Sequence, residues 1–334
     1  MCFTFVVIAN AKYETKAHQG FSEPEIAELD WSPDGTRIVV GGGINNCGSA
    51  TVDPEITFLH IIDAITLDVL HELDGATCQI TSVDWSPDGT MIVATDLRNL
   101  HVWDANTGEL LPDLTIAGYA IVTARWSPDS SYIAYHDLRG TIQIEHIRGV
   151  DTGLGGIIPV GGSEIVWSPD GTSIATSLVA DNDNFIHIFD LQSKMEIQTI
   201  ELTGIVSHLD WHVDGIRLIG IVSDASIQIW HVETGEVLTR IEPNGFPQDI
   251  EWDAEGENFA TISRDGTVRI WNGTTGQQLT EFQTANLLTA VAWSPDGTQL
   301  VAGGDPNSQL NLLVTPSTNT DENQSANDLD NSDE

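Results

Sequence analysis

The chain has 334 residues, is 40% hydrophobic, and sets 50 acidic against 12 basic residues for a formal net charge of −38. Such a field repels phosphate backbones, which excludes generic nucleic-acid binding; it is compatible with a basic partner and equally with simple solubility. Three cysteines, Cys2, Cys47 and Cys78, are odd in number and widely spaced. Neither a disulfide framework nor a zinc site is expected from them, and a cytoplasmic or otherwise intracellular, reducing compartment is favoured.

In chain order, the apolar run from Cys2 to Ala9 is too short to span a membrane and has no basic stretch before it to make a signal peptide. It reads as a strand, and so abrupt a start is compatible with a sensor or regulatory module of a larger protein. A Trp-Ser-Pro-Asp-Gly variant then recurs at Trp31, Trp85, Trp126, Trp167, Trp211, Trp252 and Trp293, in steps of 54, 41, 41, 44, 41 and 41 residues. A period in the low forties marks a radial β-repeat with one blade per period. Length alone would suggest two domains, but a closed ring of blades is one domain.

The repeat from Asp249 to Phe282 displays the local logic. Asp249-Ile250-Glu251-Trp252 alternates polar and apolar, as a strand does. Asp253 to Gly256 turns, with Gly where a positive φ costs little. Asn258 to Ile262 is a second strand, Arg264-Asp265-Gly266 a tight turn, Thr267 to Trp271 a third strand, and Gln277 to Phe282 a fourth. The fold class expected is all-β: a seven-bladed β-propeller with four antiparallel strands per blade. The boundaries are residues 1–20 for an N-terminal segment with a ring-closing strand, 21–315 for the ring, and 316–334 for a disordered acidic tail.

Trp103-Asp104, the variants Trp230-His231 and Trp271-Asn272, and the Thr-Gly turns at Thr107-Gly108, Thr234-Gly235 and Thr275-Gly276 resemble the WD-repeat β-propeller family. The resemblance covers roughly residues 20–315. It implies that the N-terminal strand completes the last blade; the usual offset places that strand at Ala11 to His18, with the more apolar Phe3 to Ile8 as the rival. The Gly-His that this family often places before each first strand is missing. Asp265 with Trp271, and Asp224 with Trp230, remain as partial networks. The third repeat departs most, with Ile144-Glu145-His146 at its end and a glycine-rich stretch from Gly149 to Gly156.

No nucleophile elbow, phosphate-cradling loop or paired Cys/His signature appears, so no catalytic residue and no cofactor are assigned. His60, His101, His187 and His231 fall in or near third strands of separate blades, which argues for structure and against a metal site. Asp181-Asn182-Asp183-Asn184 lacks the Gly and distal Glu of a calcium loop and reads as a turn. Two regions are candidate partner-binding sites. The long first step places an insertion from Gly41 to Pro54, with Asn45, Asn46 and Cys47 at its tip; the alternative is a tolerated insertion. Tyr119, Ile205, Phe246 and Leu287 stand six or seven residues before a repeat tryptophan, and by resemblance they ring one face. The alternative is that each packs under its own loop.

The reading is a noncatalytic WD-repeat scaffold binding a protein or peptide through one face. It is expected to be a monomer unless part of a complex, without nucleic-acid or membrane binding. The rival is an enzyme or small-ligand binder using the central opening, which needs acidic, His or Arg side chains converging there.

Overall fold

The computed structural model describes residues 6–12, 25–43, 57–117, 121–137, 140–149, 151–160, 162, 164–177, 184–284, 287–304 and 309–314. They form seven four-stranded antiparallel sheets. The first strand, β1 (Val6–Lys12), belongs to the last sheet. Blade 1 is β2 (Glu25–Trp31), β3 (Arg37–Gly43), β4 (Thr57–Asp63) and β5 (Val69–Glu72). Blade 2 is β6 (Ser82–Trp85), β7 (Met91–Thr95), β8 (Asn99–Asp104) and β9 (Ile116–Ala117). Blade 3 is β10 (Ile121–Trp126), β11 (Tyr132–Asp137), β12 (Thr141–His146) and β13 (Gly156–Ile158). Blade 4 is β14 (Glu164–Trp167), β15 (Ser173–Ser177), β16 (Phe185–Asp190) and β17 (Met195–Glu201). Blade 5 is β18 (Val206–Trp211), β19 (Arg217–Val222), β20 (Ile227–His231) and β21 (Val237–Ile241). Blade 6 is β22 (Pro247–Trp252), β23 (Asn258–Ser263), β24 (Thr267–Asn272) and β25 (Gln278–Gln283). Blade 7 is β26 (Leu288–Trp293), β27 (Gln299–Gly304) and β28 (Gln309–Val314), completed by β1.

The expected seven-bladed architecture is therefore the observed one. First strands of successive blades touch one another round the ring, and β26 meets β2 to close it. Each first strand starts on one face of the disc, here the upper face, and antiparallel pairing returns the second strand to it. The upper face thus carries the connections between blades and those between second and third strands.

The closing strand differs from both expected positions. Val6–Lys12 pairs antiparallel with β28, from Val6↔Val314 to Lys12↔Gln309. The counted offset placed it too late in the chain. The rival placed it too early, although Val6 to Ile8 is common to both the rival and the strand. The physical requirement is an edge partner for β28, since an unpaired outer strand leaves a row of free backbone groups. The tail from residue 316 lies outside the described residues.

The repeat tryptophans set the spacing of the blades. All seven are at most 8% exposed. Seven hydrophobic clusters are formed, each from two neighbouring blades. In β3, Ile38 and Val40 face blade 7 while Val39 faces blade 2, because successive side chains of a strand point to opposite faces. Trp31 Nε1 donates to Ala292 O of blade 7 at 3.1 Å, and Trp167 Nε1 to Arg125 O of blade 3 at 3.2 Å. The ring is held by sheet-to-sheet burial far more than by polar contacts.

In blades 1, 2, 4 and 7 a Ser-Pro-Asp-Gly turn closes the lower corner between first and second strands. Ser32 Oγ donates to Asp34 Oδ1 at 2.6 Å, and the Thr36 amide donates to the same oxygen at 3.0 Å. Gly35 takes φ +69°, which its missing Cβ permits. Of the partial networks expected, Asp265 and Trp271 do not bond each other: Asp265 Oδ1 accepts from the Thr267 amide and hydroxyl, while Trp271 Nε1 donates to Thr261 Oγ1 at 2.9 Å. The pair Asp224–Trp230 is not formed: Asp224 binds the Arg240 guanidinium at 2.9 Å, and Trp230 is fully buried with its Nε1 unbonded. Burial between blades 4 and 5 takes the place of that bond.

His60, His101, His187 and His231 each lie in a third strand, β4, β8, β16 and β20. His101 lies tilted against Trp103, ring centroids 5.5 Å apart, and meets Asp96 at 3.3 Å, and His187 bonds Glu196. One cysteine departs from expectation: Cys78 is disulfide-bonded. Wide spacing in sequence says nothing against a pairing that two loops bring about in space. Among the described residues no helix is long and apolar enough to cross a membrane.

Candidate functional site

The first strand of a blade is an edge strand, so its inward backbone groups need partners, and its inward side chains meet those of six other blades. Alternation points the residues one and three places before each tryptophan into the central channel. One place before, the chain reads Asp30, Asp84, Arg125, Val166, Asp210, Glu251 and Ala292. Three places before, it reads Glu28, Ser82, Thr123, Glu164, His208, Asp249 and Ala290. All of them except Ser82 line a cavity of about 420 Å³, whose lining includes seven carboxylates, Arg125 and His208.

Several carboxylates act as clips between blades. Asp30 Oδ2 accepts from the Trp85 amide at 2.7 Å, and Asp84 Oδ2 from the Trp126 amide at 2.6 Å. Asp210 accepts from Trp211 and Trp252 amides, both at 2.8 Å, and Glu251 from the Trp293 amide at 3.1 Å. Each satisfies an amide of the next blade's inner edge, which would otherwise be orphaned. Arg125 balances part of the charge: its Nη2 lies 2.6 Å from Glu28 Oε1, and Nη1 donates to Ala124 O and Ser82 Oγ. On the other side His208 Nδ1 lies 3.4 Å from Asp249 Oδ1 and 4.0 Å from Glu164 Oε1.

This crowding moves the titrations. Burial raises the Asp30 carboxyl to about 6 against the pull of the Trp85 and Trp31 amides. Burial raises Asp210 to about 7, and Glu164 to about 7 despite His208 and Arg125. Asp84 and Glu251 stand well above the carboxylate range through burial and neighbouring acids. For His208 burial opposes the charge, but the bond to Asp249 and the charges of Asp249 and Glu164 win and raise it to about 9. The channel is thus a site of excess negative potential that partly neutralises itself by holding protons. Water still reaches it, since the side chains of Glu164, Asp249 and His208 keep 19%, 22% and 35% exposure. Among the described residues no three His, Cys, Asp or Glu side chains are placed to hold a metal ion.

The residues expected on the rim are placed as follows. Ile205, Phe246 and Leu287 each precede the first strand of blades 5, 6 and 7, on the upper face, and none of them lines the channel. Phe246 is 76% exposed and Leu287 48% exposed, so neither packs under its own loop; Ile205 is half-buried, its amide on Ser223 Oγ. Tyr119, Asn45, Asn46 and Cys47 lie outside the described residues, as do Asp181 to Asp183. The channel carboxylates themselves were not singled out in the sequence. Comparing the repeats position by position would have exposed them, because one column reads mostly acidic.

Against known families, the WD domain, G-beta repeat, matches at residues 67–104, 240–272 and 276–308. No curated protein matches the chain.

Proposed function

Starting from a seven-bladed propeller with WD40 repeats at three positions, consistent with a WD-repeat family, we propose that the protein is an interaction scaffold whose upper face receives a protein segment carrying a basic side chain. The observation that carries this reading is the channel, where seven carboxylates meet one arginine and one histidine. A lysine or arginine entering it would replace part of the proton-holding by an ion pair. Phe246 and Leu287, exposed above an acidic opening, would supply the apolar contact beside it. Charge complementarity of this kind also speeds encounter, with a strong dependence on salt.

The test is binding of the purified chain to a peptide library in which single Lys or Arg residues are replaced by Gln. Retained binding after replacement of every basic residue would refute the basic-segment reading. Phe246→Ser with Leu287→Ser should weaken capture about tenfold or more while leaving the melting temperature nearly unchanged. Loss of folding would instead assign both residues to the core.

The same channel favours a second reading, a binder of a small cationic ligand such as a diamine. It would show calorimetric binding of the free diamine, with no dependence on Phe246.

A further inference from the structure

We propose that the basic side chain received by the channel is a lysine, its ammonium seated between Thr123 of blade 3 and Glu164 of blade 4. This deepens the basic-segment reading and rests on it. The place is decided by which polar groups of the channel are already bonded and which are not.

The channel has two tiers. First strands start on the upper face, so residues three places before each tryptophan lie nearer the upper mouth than those one place before. In the lower tier Asp30, Asp84, Asp210 and Glu251 each accept from an amide of the next blade. In the upper tier Glu28 and Ser82 take Arg125 Nη2 and Nη1. Asp249 accepts from the Ile250 and Val291 amides at 2.8 and 3.0 Å, and His208 Nδ1 leans to the same carboxylate at 3.4 Å. Both resident cations are thereby drawn away from Glu164.

Thr123 and Glu164 are left. Thr123 is 5% exposed and lines the cavity, and its hydroxyl has no hydrogen-bond partner among the described residues. That hydroxyl is not sealed off, as Trp126 Nε1 of the same strand is, and so opens on the channel. The Glu164 carboxylate accepts no hydrogen bond from the described residues, and its nearest cation is His208 at 4.0 Å. The two side chains hold equivalent places on β10 and β14, neighbouring strands that touch. Trp167 Nε1 donates to Arg125 O at 3.2 Å and fixes the second strand against the first. A hydroxyl and a carboxylate, both able to accept, thus stand side by side without a donor.

Two acceptors on different blades suit a primary ammonium. Its N–H groups diverge from a compact charge on a flexible stem, so one can meet Glu164 and another Thr123 Oγ1. A guanidinium carries its donors in one rigid plane, matched to the two oxygens of a single carboxylate. Val166 lies one tier below Glu164 in the cavity wall and offers no further acceptor, so the ammonium stops at the upper tier. Val122, also in the wall, provides apolar surface for the methylene stem.

Calorimetry on the full chain tests the seat, at pH 8, above the value of about 7 to which burial lifts Glu164. The probes are the end-blocked peptide Gly-Gly-Lys-Gly-Gly, its arginine counterpart and free diaminobutane. Thr123→Val removes a hydroxyl and Glu164→Gln a charge, and the two variants read the seat independently. Each should weaken binding of the lysine peptide about tenfold or more. Thr123→Ser, which keeps the hydroxyl, should bind as the parent does, and the arginine peptide should bind more weakly than the lysine peptide. Unchanged lysine-peptide affinity in both variants would overturn the seat and leave the basic-segment reading standing. Preference for arginine would overturn the choice of lysine. Binding of diaminobutane without the lysine peptide would overturn it in favour of a free amine. Binding of none of the probes would overturn both the seat and the reading on which it rests.

Discussion

Replacing Glu164 by Gln should stabilise the ring at high pH and leave it unchanged in acid. Glu164 faces the channel, and its carboxylate has His208 at 4.0 Å as its nearest cation. Burial lifts its carboxyl from 4.5 to about 7. The folded chain therefore holds a proton there that the unfolded chain releases above about pH 4.5, and stability falls as pH rises from that point to about 7. The full shift corresponds to about 3 kcal/mol against the ionised form, and residual water in the channel lowers this to about 1–3 kcal/mol. His208 adds to the same slope higher up, since its stabilising charge is present below 6.5 and lost as pH rises through about 9. Asp249 remains beside His208 in the variant, at 3.4 Å. Urea unfolding of both proteins at pH 4 and pH 8 reads the difference. The variant should gain midpoint at pH 8 and match the parent at pH 4. An equal gain at both values, or a loss at pH 8, would show that Glu164 is stabilised by its neighbours and that the channel is not under charge strain.

Removing residues 1–12 deletes the strand that pairs with β28 and should broaden the thermal transition of the whole ring, with aggregation through the freed edge; an unchanged, cooperative melt would contradict closure by β1. Asp296→Ala removes three bonds, from Ser294 Oγ, the Thr298 amide and Thr298 Oγ. It should cost about 1–2 kcal/mol at pH 7 in denaturant unfolding. The Asp296 carboxyl lies below the usual range because those bonds outweigh its burial. The difference should therefore persist above about pH 4 and fade as the acid protonates below it.

The repeat was legible because its signals are local. Ser32, Asp34 and Gly35 close their own corner whatever surrounds them, and Trp31 recurs wherever one sheet must bury against the next. Spacing therefore reveals blade number, strand count and the shortfall in the last blade. The exact closing strand was not legible, because Val6–Lys12 is chosen by the edge of β28 more than 290 residues away. The exposure of Phe246 was likewise open, since a loop aromatic can turn inward or outward without altering the repeat.

What the sequence determined alone is a seven-part ring with strongly negative charge and an unusual loop in its first blade. Tertiary structure decided where that charge gathers. Asp30, Asp84, Asp210 and Glu251 sit in four different repeats and look like ordinary polar positions of alternating strands. Closing the ring turns the inner edges toward one axis, so residues 42 to 55 positions apart share one channel and bind one another's blades.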